Sequence, residues 1–117
     1  MPGQLRAGAV VVDITPALGV ANGGVIARGG PVTRIHDELH ARCLMLDDGA
    51  IRLAIAICDM RMLGGDVVAR AKSLAGKATG LAPEYILIAA THTHAAPAIV
   101  GIHPEPRDRA YAEFVAR

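Results

Sequence analysis

Aromatic residues are scarce in this 117-residue sequence, which has one Phe, two Tyr and no Trp. Hydrophobic residues still make up 52% of it, so a core can form, but it must be built from aliphatic side chains. No sign of charge dominates. Twelve Lys and Arg stand against eleven Asp and Glu, a net +1 with His neutral. Without a basic stripe or stacking aromatics, nucleic acid is not the expected partner. The two cysteines, Cys43 and Cys58, lie inside apolar runs and in no spaced framework, and read as buried thiols. No segment approaches membrane-spanning length, and Met1 to Arg6 holds no stretch apolar enough for a signal peptide. The default expectation is a cytoplasmic location, with secretion open if a leader has been removed. The glycines between Gly19 and Gly30 form no phosphate loop, because no Gly-Lys-Ser/Thr follows them.

What is present is an alternation of short apolar runs and turn residues. Ala7 to Ile14 is a β-branched run closed by Thr15-Pro16, and reads as a strand. Leu39 to Leu46 and Ile51 to Cys58 flank Asp47-Asp48-Gly49, a strong hairpin signal because Asp-Gly tolerates positive φ. The Ile51–Cys58 run is apolar at both odd and even positions, which predicts a central strand covered on both faces. A helical stripe follows at Val67, Ala71, Leu74, Ala75 and Ala78, with Asp66 as N-cap and Gly80 and Pro83 as stops. Tyr85 to Ala90 is a fourth strand. Thr91 to Arg107 is a proline-bearing loop, and Arg109 to Arg117 begins a second helix. The expected fold is α/β: a mixed sheet with a β-hairpin followed by a right-handed βαβ unit, helices packed on the sheet, in a single domain over 1–117.

That topology sends several polar residues to one edge. Parallel strands joined by a helix end at the same side of a sheet, and open α/β sheets bind ligands at their carboxyl edge. One strand runs out at Asp59 and the other into Thr91-His92-Thr93-His94. The hairpin returns Ile35-His36-Asp37-Glu38 to the same rim. Asp59 can equally cap the following turn. His40, inside its strand, and His103, in the proline-rich loop, are read as ordinary hydrogen-bonded or surface histidines. His92 and His94 differ, since residues two apart in an extended segment face one side and can present two imidazoles to one metal or one substrate.

In order along the chain, Val12-Asp13-Ile14-Thr15-Pro16, Ile35-His36-Asp37, Ala41-Arg42, Leu46-Asp47-Asp48-Gly49, the strand ending at Asp59, and Ala89-Ala90-Thr91-His92-Thr93-His94 resemble the catalytic domain of the neutral (non-lysosomal) ceramidases. The likeness runs from about residue 7 onward and is most specific at Ala-Thr-His-Thr-His. It implies a zinc (Zn2+) amidase that hydrolyses the N-acyl bond of ceramide-like lipids. By that likeness His92 is a zinc ligand. His94 is a catalytic group that hydrogen-bonds the substrate carbonyl or its developing oxyanion, with Asp59 a second catalytic candidate. His36 and Asp37 are candidates for substrate binding or for supporting the ligands. The sequence departs from the family after His94, where Ala95-Ala96-Pro97 stands in place of Ser-Gly-Pro. The family's catalytic domain is also several times longer, and its further His, Glu and Tyr ligands come from later sequence. The expectation is therefore the N-terminal part of such a domain, truncated, with an incomplete zinc site. Alternatives are a metal-dependent hydrolase of another amide or ester on the same scaffold, and a non-catalytic binding or assembly module. The exposed strand edges of so short a piece also leave a homo-oligomer open.

Overall fold

The structure, a computed structural model, describes residues 3–23, 30–100 and 107–117. Its four strands, β1 (Arg6–Asp13), β2 (His40–Asp47), β3 (Arg52–Cys58) and β4 (Ile86–Ala90), form one mixed sheet in that order. β1 and β2 pair antiparallel, as do β2 and β3, while β3 and β4 are parallel. Helix α1 (Gly65–Thr79) connects the parallel pair, and α2 (Arg109–Ala116) packs against α1. This is the expected α/β architecture of a hairpin followed by a βαβ unit.

Local chemistry explains the joints. At the β2–β3 turn the Asp48 carboxylate accepts from the amides of Ala50 and Ile51, and that of Asp47 accepts from Gly49. Gly49 sits at φ 91, which a residue without Cβ adopts at little cost. The N-cap of α1 is Gly64 rather than Asp66, which lies inside the first turn and pairs with Arg107. An acidic group in the first turn meets the positive end of the helix dipole there, so the same residue serves the helix start from a different position. Pro83–Tyr85 is a single 3-10 turn, so β4 begins at Ile86 rather than at Tyr85.

Registry assigns the two faces of the sheet. Ala41, Cys58 and Ala90 lie side by side on one face, and Leu44, Ile55 and Leu87 lie side by side on the other. Both helices pack on the first face. Its buried cluster joins Cys58 to Ile14, Met60, Ala96 and Ile99, then to Val67 of α1 and Tyr111, Ala112 and Ala116 of α2. The members that the sheet supplies, Ile14, Cys58 and Met60, stand at or just beyond strand ends, so the core lies toward the carboxyl edge of β3 rather than under the middle of the sheet. Met60, 0% exposed, lies at its centre. The second face carries no helix among the described residues, and Val11, Leu44 and Leu87 are 60%, 37% and 57% exposed. The expectation that β3 is covered on both sides is therefore corrected. Its apolar alternation is real and it is central, but only one layer lies over it. No helix among the described residues is long and apolar enough to cross a membrane.

Candidate functional site

Cys58 of β3 pairs with Ala90 of β4, so Asp59 and Thr91 leave the sheet side by side, and the Thr91 amide donates to the Cys58 carbonyl at 2.9 Å. Asp13 of β1 pairs with His40 of β2, and the Asp59 amide donates to the His40 carbonyl at 2.8 Å. All four strands thus contribute to one rim. β1 is a contributor that hairpin reasoning alone did not include. Just past it Ile14 donates its amide to the Leu39 carbonyl, and the Thr15 hydroxyl accepts from the Leu39 amide. That locks the segment entering β2 to the end of β1.

Asp59 is the polar hub of this edge. Its Oδ2 accepts from the His40 amide at 3.0 Å and from Arg42 Nη1 at 2.8 Å. Burial pushes its carboxyl up, but the Arg42 guanidinium, the His40 amide and the Thr91 hydroxyl together hold it below the ordinary carboxylate range. Asp59 is therefore ionised and well supplied with donors. Arg42 was not singled out from the sequence. Its own strand carries no signal for it, because on the uncovered face a half-exposed arginine requires no partner, and only register with β3 brings it to Asp59.

His36 and Asp37 lie on the loop entering β2, with His36 Nδ1 2.8 Å from Asp37 Oδ2 and both side chains exposed. They line a groove of about 590 Å3 together with Thr15, Arg34, Asp59 and Thr93. His36, Asp37, Asp59 and Thr93 thus share one groove, while His92 and His94, on either side of Thr93, are not among its lining residues. His40 sits lower, with its Nε2 3.3 Å from Glu38 Oε2, in keeping with a local structural role. His103 lies outside the described residues.

The histidine pair converges, but not through an extended backbone. His92 has φ 64, the left-handed region that a non-glycine residue adopts only at a cost of about 1–2 kcal/mol. With that kink, the His92 and His94 rings meet edge to face with centroids 4.9 Å apart and Nε2 atoms 3.3 Å apart. His92 Nδ1 lies 2.8 Å from the Arg61 carbonyl oxygen. A carbonyl only accepts, so Nδ1 carries the proton and the Nε2 lone pair of a neutral His92 is turned toward His94. A carbonyl behind the ring is the usual support of a metal-ligating histidine. Two nitrogen donors on zinc, at roughly 2.05 Å each and a tetrahedral angle, stand about 3.3–3.4 Å apart. The pair suits zinc in donor type and spacing, but two nitrogens do not make up its shell. No group of three or more His, Cys, Asp or Glu converges in that way among the described residues.

The segment after the histidines also anchors the glycine-rich loop. Asn22 bridges to Pro97, and the Gly23 amide donates to the Ala96 carbonyl. Across its base the loop is closed by Gly19 and Val32, whose amides donate to the carbonyls of Val32 and Val20. Residues 19–23 and 30–32 thus lie beside the rim, and positions 24–29, on which an arch of the Gly19–Gly30 loop over it would depend, lie outside the described residues.

No family model and no curated relative matches the sequence. Solved structures do. The chain is similar to neutral ceramidase from Pseudomonas aeruginosa, with a TM-score of 0.69 and 28% identity over 84% of this chain and 16% of that one. It is also similar to a ceramidase complexed with C2, with a TM-score of 0.68, 28% identity and the same coverage. The chain is thus ceramidase-like in fold, and spans 16% of the length of the solved ceramidases it matches.

Proposed function

We propose that this chain forms part of a zinc-dependent amidase of ceramidase type, acting on the N-acyl bond of a sphingoid-like lipid amide. The observation that carries the reading is the His92–His94 pair at the carboxyl edge of a ceramidase-like sheet, its two Nε2 atoms 3.3 Å apart. When bound, zinc supplies a water of lowered pKa and polarises the amide carbonyl. His92 would hold the ion through Nε2, its ring kept in one tautomer by the Arg61 carbonyl. His94, exposed beside it, hydrogen-bonds the substrate carbonyl and the negative charge that develops there. Asp59 contributes as an anion that ties β2, β3 and β4 together and floors the groove. His36 and Asp37, on the groove wall, meet the polar part of the substrate.

With His94 given to the substrate, His92 alone falls short of the three protein ligands that a catalytic zinc normally has, and the others would come from further polypeptide. The same shortfall favours, as a second reading, a non-catalytic module that holds metal between subunits. Ala95-Ala96 in place of Ser-Gly favours another amide or ester as the substrate within the first reading.

The test measures fatty-acid release from a short-chain N-acyl sphingosine, with zinc and with chelator. The 117-residue chain alone is expected to turn over negligibly. A longer polypeptide containing it is expected to be active, chelator-sensitive and silenced by His92→Asn. Robust chelator-sensitive turnover by the chain alone would overturn the incomplete-site reading, and an inactive longer polypeptide that holds its zinc would favour the assembly module.

A further inference from the structure

We propose that the cavity between α1 and α2 binds a small organic carboxylate. The site is independent of the zinc reading, because none of its lining residues lines the rim groove.

One atom points to it first. Arg107 Nε is buried and meets no acceptor among the described residues. The same guanidinium is engaged through Nη1, which donates to the Asp66 carboxylate. Nη1 lies cis to Cδ, so that pair leaves the opposite edge, Nε–H with Nη2–H, as a two-donor fork. A buried donor on a charged group is costly to leave without an acceptor. The fork matches the two oxygens of a carboxylate, which meets such an edge through two parallel hydrogen bonds.

Charge agrees with that geometry. The cavity is lined by the guanidiniums of Arg70, Arg107 and Arg109 and by the carboxylates of Asp66 and Glu113. Arg107 holds the Asp66 carboxyl below its ordinary range, and Arg70 does the same for Glu113, so both are ionised. Three cations against two anions leave a surplus of one positive charge. Just outside the lining, Arg117 and Asp108 offset one another, the first on Glu113 and the second accepting from the Tyr111 amide as the α2 N-cap. Arg109 has no ion pair among the described residues. A monoanion balances the surplus, whereas a phosphate dianion exceeds it.

Size and lining narrow the ligand further. The cavity measures about 240 Å3, below the roughly 300–1,000 Å3 of pockets for drug-sized molecules, so its ligand is small. Its apolar lining is Val67, Ala112 and Ala116, each at most 5% exposed. These residues offer a short alkyl tail a contact away from water.

The experiment labels the arginine side chains of the 117-residue chain with 15N and adds sodium butyrate at about pH 6, where a carboxylic acid is ionised. NMR follows the Arg107 Nε–H resonance, identified by its loss in Arg107→Lys. Sodium acetate, butyramide, inorganic phosphate and sodium chloride at matched ionic strength are titrated in parallel. The expected result is a saturable shift with butyrate, weaker binding of acetate, and no saturable shift with butyramide or chloride. Arg107→Lys keeps the charge but lacks the fork. Read from the Arg70 Nε–H resonance, it should bind butyrate at least about tenfold more weakly, as the loss of hydrogen bonds to a charged group implies. Arg109→Gln should weaken binding by less. An Arg107 Nε–H that ignores butyrate, or answers butyramide equally, would overturn the site. Phosphate binding more tightly than butyrate would overturn the carboxylate assignment, and acetate binding as tightly as butyrate would overturn the alkyl contact. Undiminished affinity in Arg107→Lys would overturn the fork. The parent chain's own shifts decide the first three outcomes, so a variant that folds poorly does not shield the proposal.

Discussion

Asp59 shows how a carboxylate at a candidate site can be tuned for structure. Its folded-state pKa lies below the ordinary value, so its stabilising contribution is complete above about pH 4 and is lost as pH falls through the folded-state value. Asp59→Asn is expected to cost about 1–2 kcal/mol at pH 7, since it weakens a charge-assisted bond to an Arg42 that is half exposed as well as one to the His40 amide. The gap between variant and parent should narrow as the pH is lowered below about 4. Urea unfolding at pH 7 and pH 3 checks both statements, and an undiminished gap at pH 3 would show that the carboxylate's charge is not what stabilises the rim. At this scale the sequence was legible in part. The convergence of His92 and His94 was foreseen from their spacing, yet the extended segment invoked for it is absent. The rings meet because His92 takes a positive φ, and nothing in Thr-His-Thr-His announces that conformation. Arg42 went unread because its importance depends on register with Asp59, which a single strand does not display.

Strands, turns and helices were more legible than the contacts between them. The Asp-Gly turn, the helix stop at Gly80 and the parallel β3–β4 pair follow from turn chemistry and apolar periodicity, which act locally. The docking of the glycine-rich loop is not local. A Cβ at Gly23 would stand 2.3 Å from the Ala98 Cβ and 2.5 Å from its backbone nitrogen, so this glycine is required by close approach rather than by a turn. Gly23→Ala is expected to push the loop off residues 96–98 and to cost about 1–3 kcal/mol, the usual range for overpacking. Thermal unfolding together with faster hydrogen exchange at the Asn22 and residue-23 amides checks it. Unchanged exchange there would mean the contact yields without loss.

At the scale of the whole molecule, the feature least legible in the sequence is that one face of the sheet lies bare. Alternation tells which residues are apolar on each face, but not whether a layer exists to cover them. Val11, Leu44 and Leu87 share the uncovered side, and exposed apolar surface of this kind drives association. Sedimentation of the chain alone is expected to show self-association that rises with concentration. Leu44→Lys with Leu87→Lys should suppress it while changing stability by no more than about 0.5 kcal/mol per site, as is usual for surface positions. A parent chain that stays monomeric at high concentration would refute the claim. The other face has a different consequence. The Tyr111 hydroxyl of α2 donates to the carbonyl of Ile14, and the buried cluster gathers both residues around Met60. All four strands precede α2 in the chain, so during synthesis the sheet is fully translated while its inner side still lacks a seal. Contacts of such wide sequence separation are slow to form, and the rim carrying His92 and His94 rests on them. A ribosome that pauses between Ala90 and Tyr111 would therefore hold a nascent sheet with one face bare and the other covered by α1 alone, a form in need of a chaperone.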